Sequence, residues 1–188
     1  MSDLQTALKG ASFEGTVTVA DAGLTGMITV RGDIATIMAA AAKETGVAVP
    51  ETRGVTQSGD FGIAWMSTDE ILVLCPYDQA VDLTTKLSTA LDGEHALAVN
   101  VSDARALISV TGEPAALRET IAKLAPVDLA LDRFAVGEMR RTRFAQVAAA
   151  FWLMSESEAH VICFRSVGDY LFNLLKTSAK SGGEVGVF

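Results

Sequence analysis

The stretch LAVNVSDARALISVTGEPAALRETIAKL, residues 97–124, is the clearest guide to the fold of this chain. Two short runs rich in apolar residues predict strands over Leu97–Val101 and Arg105–Thr111, separated by a turn. The next run predicts a helix over Glu113–Leu124, because Pro114 suits a first helical turn and apolar residues recur at helical spacing. The stretch therefore predicts a strand–turn–strand–helix unit.

The same layout is predicted on both sides of this stretch. The units consist of the strands Phe61–Met66 and Ile71–Cys75 with the helix Tyr77–Leu91, and of the strands Phe144–Met154 and Val161–Phe164 with the helix Ser166–Thr177. An opening strand, Leu24–Arg31, precedes them. A helix follows it, with Asp33 as its N-cap and Gly46 as its stop. The Pro- and Gly-rich segment Val47–Asp60 is predicted to be a surface loop.

Three such units after an opening strand and helix predict an α+β fold. In this fold, ferredoxin-like strand-strand-helix units form antiparallel hairpins, and the helices pack on a face of the sheet. We predict one domain over residues 24–177. Residues 1–23 are predicted to form an N-terminal arm on the surface or on a partner, and residues 178–188 a flexible C-terminal tail.

The composition is that of a folded, acidic protein. The chain has 188 residues, of which 49% are hydrophobic and 20% charged, so intrinsic disorder is not expected. The formal net charge is −8, which argues against a partner bound through its phosphates, such as nucleic acid. Residues 1–94 carry 5 basic and 13 acidic side chains, whereas residues 95–188 carry 10 of each.

Compartment and cysteine chemistry follow from local patterns. The N-terminal sequence lacks the basic and apolar regions of an export signal, and no run approaches the length of a membrane-spanning helix, so we expect a cytoplasmic protein. Cys75 and Cys163 each lie in an apolar run and are predicted to be buried free thiols, a disulfide or a reactive thiol being the alternative.

Motifs of catalysis and cofactor binding are absent from the sequence. There is no CxxC or HExxH pattern, and His95 and His160 are predicted at the ends of strands, where a solvated or hydrogen-bonded role is expected. The glycines around Leu24 precede a strand, whereas a phosphate-binding loop requires them before a helix. We therefore expect no catalytic, cofactor-binding or metal-binding residue in this chain, and a binding or structural role.

Seven residues are candidates for contact with a partner protein. They are Trp65, Asp69, Glu70, Arg140, Arg141, Arg143 and Trp152. The acidic pair is predicted to form a solvated turn, and the arginines, together with Arg133, either a solvated loop or a contact for an anion or an acidic partner. The two tryptophans are expected in the core, with an interface anchor as the alternative.

A series of short motifs resembles the gamma subunit family of heterotetrameric sarcosine oxidase. The series covers about residues 30 to 175, in this order: Val30-Arg31-Gly32-Asp33, Gly46-Val47-Ala48-Val49-Pro50, Ala64 to Leu72, Val101 to Arg105, Thr111 to Pro114, Val127-Asp128-Leu129, Phe134 to Gly137, Arg141-Thr142, Phe164-Arg165-Ser166 and Tyr170-Leu171. Each motif alone is weak, whereas the series in this order and spacing is specific.

The resemblance implies a fold similar to the folate-binding domain of aminomethyltransferases (GcvT-like). It also implies a complex with alpha, beta and delta subunits that demethylates sarcosine to glycine oxidatively. In such a complex the one-carbon unit passes to tetrahydrofolate or leaves as formaldehyde, and hydrogen peroxide is formed. FAD, FMN, NAD and tetrahydrofolate are then expected on the partner subunits. No catalytic residue is carried over to this chain.

Two alternatives remain open at this point. The first is a free-standing folate-binding or one-carbon-transfer protein of the same fold, since a fold does not determine a function. The second is a gamma-type subunit of a related oxidase or dehydrogenase acting on another N-methyl amino acid. The isolated chain is predicted to be inactive, and it could self-associate when its partners are missing.

Overall fold

A computed structural model describes residues 4–188 of the chain. In chain order, its elements are β1 (Ser12–Glu14), β2 (Thr18–Asp21), β3 (Thr25–Arg31), α1 (Ile34–Thr45), β4 (Val55–Ser58), β5 (Phe61–Ser67), β6 (Glu70–Pro76), α2 (Ala80–Ala90), β7 (Leu97–Asn100), β8 (Arg105–Thr111), α3 (Pro114–Ala122), β9 (Met139–Phe144), β10 (Val147–Ser155), β11 (Glu158–Phe164) and α4 (Gly168–Ser178). Helices and antiparallel strands confirm the α+β class.

The chain divides into two compact units, where the sequence predicts one domain. The inserted unit is Leu24–Ser102, and the flanking unit is formed by the segments before and after it. Each unit has its own antiparallel sheet and its own cluster of buried apolar side chains. A period-2 pattern identifies strands but does not say which sheet a strand joins, so the sequence does not reveal the division.

The inserted unit is a five-stranded sheet in the order β4-β5-β6-β3-β7. Apolar side chains from one face of this sheet pack with those of α1 and α2, including Ile28, Val73, Ile37 and Leu87. Helix α1 begins as predicted, because the Asp33 carboxylate accepts a hydrogen bond of 3.0 Å from the Thr36 N–H. It ends at Gly46, whose φ of 71° places it in the left-handed conformation.

The segment Val47–Asp60 is more ordered than the predicted surface loop. It contains β4, which pairs with β5 and extends the sheet by one strand. All four β4 side chains are exposed or half-buried, so no alternation of apolar and polar residues marks this strand. Edge strands of this kind give little sequence signal.

The flanking unit is a six-stranded sheet in the order β1-β2-β8-β11-β10-β9. One face packs against α3 and α4 through side chains such as Leu117 and Leu175. At the centre of this core, the rings of Phe134 and Phe151 stack with centroids 5.1 Å apart. The Phe144 ring meets the Phe151 ring edge-on at 5.6 Å.

The hairpin that the sequence predicts most clearly does not form. Strand β7 pairs with β3 in the inserted unit, whereas β8 pairs with β2 and β11 in the flanking unit. A 3-10 turn, Ser102–Ala104, joins the two strands. A short turn between two strands has the same composition whether or not the strands pair with each other.

The third predicted unit and the N-terminal arm also differ from prediction. The predicted strand Phe144–Met154 corresponds to β10, Val147–Ser155, which is preceded by a turn with Ala145 at φ 51° and by the unpredicted strand β9, Met139–Phe144. Residues 4–23 of the predicted arm include β1 and β2, and β2 pairs with β8. Residues 1–3 of that predicted arm lie outside the described part of the chain.

The C-terminal segment contacts helix α3, where the sequence predicts a mobile tail. The Glu119 carboxylate accepts hydrogen bonds from the Val185 N–H at 2.6 Å and the Gly186 N–H at 2.8 Å. Lys123 Nζ lies 2.8 Å from the same carboxylate. These donors lower the pKa of Glu119 to about 2, the Lys123 hydrogen bond being the largest cause.

We predict that acid releases this segment. The pKa of Glu119 falls from 4.5 to about 2 in the folded chain, so its contribution to stability is complete above pH 4.5 and is lost as the pH falls towards 2. Glu119→Gln removes the charge and should speed amide exchange at Val185 and Gly186 already at neutral pH. Glu113→Gln, at the exposed start of the same helix, is the matched control. Equal exchange in both variants would contradict the prediction.

The cysteines are buried and unpaired, as predicted. Cys75 and Cys163 are each 2% exposed, and burial raises the pKa of both thiols to about 11. We predict that neither thiol reacts with a disulfide reagent at pH 8 until the chain is unfolded. Because these pKa values lie above 9.0 in the folded chain, the thiols should also lower its stability as the pH rises from 9 towards 11. Rapid reaction of either thiol with the disulfide reagent in the folded chain at pH 8 would refute the first prediction.

Candidate functional site

Two of the motif segments meet in a cleft of the inserted unit. Arg31 ends β3 and Glu70 begins β6, and the two residues are cross-strand partners. Arg31 Nη2 lies 2.9 Å from Glu70 Oε2. The Gly32 N–H donates a hydrogen bond of 3.0 Å to the Asp69 carbonyl. Strand pairing therefore joins segments that are almost forty residues apart in the sequence.

This cleft, the acidic cleft, has a volume of about 560 Å³. Its lining is Arg31, Gly32, Asp33, Thr36, Asp69, Glu94, His95, Ala96 and Leu97. Asp33 is committed to capping α1, and the Thr36 hydrogen bonds lower the pKa of its carboxyl group. His95 is exposed, in agreement with a solvated histidine.

The close packing behind the acidic cleft depends on Gly32. Its φ of 153° is a backbone conformation that favours glycine. A Cβ atom here would lie 3.0 Å from Ile37 Cγ2 and 3.0 Å from Ala96 Cβ. The Arg31-Gly32-Asp33 segment is thus a tight strand-to-helix connection.

The prediction of a solvated turn at Asp69-Glu70 is correct for Asp69 and wrong for Glu70. Asp69 is exposed and accepts a hydrogen bond from Ser67 Oγ at 2.5 Å. Glu70, predicted to reach water, is 6% exposed and is paired with Arg31. Burial of this carboxylate beside a guanidinium avoids the cost of an isolated buried charge. Trp65 is half-buried and packs against the core of the inserted unit.

The arginine cluster lies in the flanking unit, around a cleft of about 430 Å³ that we call the basic cleft. Its lining is Pro126, Val127, Asp128, Arg133, Arg140, Arg141 and Thr142. Arg140 forms an ion pair with Glu138 and lies over the Phe134 ring, with its guanidinium carbon 5.3 Å from the centroid. Arg141 and Arg143 are exposed on one face of β9, and Arg143 does not line the cleft.

Trp152, proposed as a core residue or an interface anchor, is fully buried. Its indole Nε1 lies 3.1 Å from Met154 Sδ, and its ring meets His160 edge-on with centroids 5.7 Å apart. The side chain is therefore not available to a partner.

His160 lies inside β11, whereas the sequence predicts it at a strand end. Its Nε2 atom is 3.1 Å from Glu158 Oε1. Burial lowers the pKa of His160, and the neighbouring Glu158 opposes this shift. A hydrogen-bonded structural histidine agrees with this environment.

Arg118 is a key residue that the sequence analysis misses. It is 1% exposed in α3, and its Nη1 donates to the carbonyls of Leu129 and Phe134, each at 2.9 Å. Nη2 lies 2.8 Å from Glu156 Oε2. The one signal in the sequence is its position next to Leu117, beside the apolar stripe of the helix.

Both clefts are lined by charged and hydrogen-bonding side chains. Within residues 4–188, no group of three or more His, Cys, Asp and Glu side chains could hold a metal ion. The helices of the described residues are all too short or too polar to cross a membrane. Such clefts can bind complementary charges on another molecule, with carboxylate-recognising arginines in one of them.

Comparison with known proteins gives a family and a fold. The model of the family described as "SoxG: Sarcosine oxidase, gamma subunit family" matches residues 31–181 of this chain. A sequence comparison with curated proteins gives no match.

Two solved structures share the fold at low sequence identity. The heterotetrameric sarcosine oxidase from Corynebacterium sp. U-96, in complex with pyrrole 2-carboxylate, includes a chain that is 22% identical with a TM-score of 0.82. The match covers 98% of this chain and 99% of that one. The glycine cleavage system aminomethyltransferase T from Bartonella henselae is 12% identical with a TM-score of 0.59, over 82% of this chain and 44% of that chain. Since the family model matches residues 31–181, which is most of the chain, the chain belongs to the sarcosine oxidase gamma subunit family.

Proposed function

We propose that this chain is the accessory gamma subunit of a cytoplasmic heterotetrameric sarcosine oxidase. The family match over residues 31–181 carries the proposal. In this proposal the chain binds the alpha, beta and delta subunits. FAD, FMN, NAD and tetrahydrofolate are bound by those partners, which carry out the oxidative demethylation of sarcosine to glycine.

The surface of the chain supports a role in association. Large apolar side chains are exposed in both units, among them Leu97 at 59%, Phe164 at 51% and Tyr170 at 54%. Exposed arginines lie beside the basic cleft. Aromatic residues and arginine are enriched at protein–protein interfaces, and exposed apolar residues are favourable to bury there.

Co-expression tests this proposal. A tagged copy of the chain is expressed alone and together with the alpha, beta and delta subunits that the proposal requires. We expect the tag to recover one assembly with all four subunits that oxidises sarcosine, and the chain alone to be inactive. Recovery of the chain without the other subunits would refute the proposal.

Two further measurements separate the alternatives. Calorimetric titration of the isolated chain with tetrahydrofolate tests a free-standing folate-binding protein, and we expect no binding heat. Profiling the assembly with sarcosine and other N-methyl amino acids tests a gamma-type subunit of a related oxidase. We expect sarcosine to be the preferred substrate.

A further inference from the structure

One end of the six-stranded sheet carries a row of side chains on the face opposite its helices. Arg143 on β9 is the cross-strand partner of Ala148 on β10. Phe164 on β11 is the partner of Arg105 on β8. The register that pairs Ala149 with Cys163 places Phe164 next to Ala148. We call these four residues, Arg143, Ala148, Phe164 and Arg105, the arginine–aromatic row.

Three of the four side chains of the row are exposed to solvent, and Arg105 is half-buried. Arg143 and Ala148 are exposed, and Phe164 is 51% exposed. Neighbouring residues of the opposite parity, such as Cys163 and Ala149, are buried in the core against the helices. The guanidinium carbon of Arg105 lies 4.1 Å from the centroid of the Phe164 ring, so a cation–π contact holds this exposed ring in place. A fixed aromatic ring flanked by arginines has the composition of an interface hot spot.

The charge of this surface is opposite to that of the chain. The stretches 103–105, 141–148 and 164–165 contain four arginines and one carboxylate, Asp103, whereas the chain carries a net charge of −8. Arg141 and Arg165, which adjoin the row, are both exposed. Within residues 4–188, Arg143 forms no hydrogen bond or ion pair. A guanidinium with no partner of its own chain can bind a carboxylate through two parallel hydrogen bonds.

We propose that the arginine–aromatic row docks an acidic segment of another subunit of the oxidase complex. This inference rests on the proposed function and deepens it. Glutamate or aspartate side chains of the segment bind Arg143 and its neighbouring arginines. An apolar residue between them covers Ala148 and packs on the Phe164 ring. Positive charge selects and orients the segment, and burial of the ring slows its release.

The test compares two charges at the centre of the row. We measure how tightly the purified chain binds the complex of the other subunits. The dissociation constant is determined for the wild type, for Ala148→Glu and for Ala148→Lys. Either side chain displaces the apolar residue that covers Ala148, so the lysine variant should also bind more weakly than the wild type. The glutamate variant repels the acidic segment in addition and should bind at least about tenfold more weakly than the lysine variant. Phe164→Ala should also weaken binding about tenfold through loss of the aromatic contact. Lys86→Glu, a larger change of charge on the exposed face of α2, should change binding less than about twofold.

Each outcome decides the proposal. Equal loss with glutamate and lysine, or no loss with any row variant, overturns it while the proposed function stands. Failure of the wild-type chain to bind the other subunits overturns both. Dissociation of a homodimer by the row variants, with binding to the other subunits unchanged, shows that a second copy is the occupant and overturns it. Arg143→Glu replaces Ala148→Glu if circular dichroism shows that the latter does not fold.

Discussion

Arg118→Ala is expected to lower the free energy of unfolding of the flanking unit by about 3 to 5 kcal/mol, because it leaves two carbonyls without donors and removes a fully buried side chain. Three hydrogen bonds and the packing of a fully buried side chain are lost together. The carbonyls of Leu129 and Phe134 lose their donors, and the penalty for an unsatisfied buried acceptor exceeds the value of an average hydrogen bond.

Urea unfolding followed by circular dichroism measures this effect. Arg118→Lys keeps the charge but cannot reach three acceptors in two directions, so it should be destabilised as well, by less than the alanine variant. Arg133→Ala is the matched control, because Arg133 is exposed and its ion pair with Asp132 is a surface pair. If Arg118→Ala is as stable as Arg133→Ala, the hydrogen bonds of Arg118 do not organise the loop between α3 and β9.

Phe151→Ala should destabilise the same unit by about 3 to 5 kcal/mol. Phe151 is fully buried on β10 and contacts the rings of both Phe134 and Phe144. Alanine leaves a cavity beside two rings that strand β9 and the loop before it hold in place, so the site can collapse only partly.

The controls for Phe151 separate volume from position. Phe151→Leu retains most of the volume and should cost less than the alanine variant. Phe164→Ala removes a half-exposed ring and should have a smaller effect on urea unfolding. Equal midpoints for Phe151→Ala and Phe164→Ala would show that the aromatic cluster is not central to the core.

Local chemistry made parts of the fold predictable. The ends of α1 were predicted because a capping carboxylate at Asp33 and a left-handed glycine at Gly46 act within a few residues of the chain. The strands β3 and β8 were predicted within one residue, because their apolar runs and bounding turns are local as well.

Nonlocal pairing made other parts unpredictable. Strands β7 and β8 have the sequence signature of a hairpin, yet each finds its partner elsewhere in the chain. Strand β4 and the N-terminal strands β1 and β2 show no clear alternation of apolar and polar residues. They are short, and most of their side chains are exposed or half-buried. These strands are defined by their pairing: β4 pairs with β5, β2 pairs with β8, and β1 pairs with β2.

The candidate site was predicted in part for the same reason. Residue types alone identified the arginines of β9, the pair Asp69-Glu70 and the burial of Trp152, but not the register that places Glu70 on Arg31. Arg118 was missed because it lies beside the apolar stripe of α3, where a charged side chain is ordinarily solvated. The role of Arg140, Arg141 and Arg143 in contact with a partner stays a prediction.

The visible absorption spectrum of two samples tests the central claim most directly, which is that the chain acts by binding other subunits and holds no flavin itself. One sample is the tagged chain purified alone, and the other is the assembly recovered with the same tag after co-expression. We predict that flavin absorbance appears only in the assembly, together with oxidation of sarcosine. Flavin absorbance that copurifies with the single chain, or an active assembly that forms without it, would contradict the account.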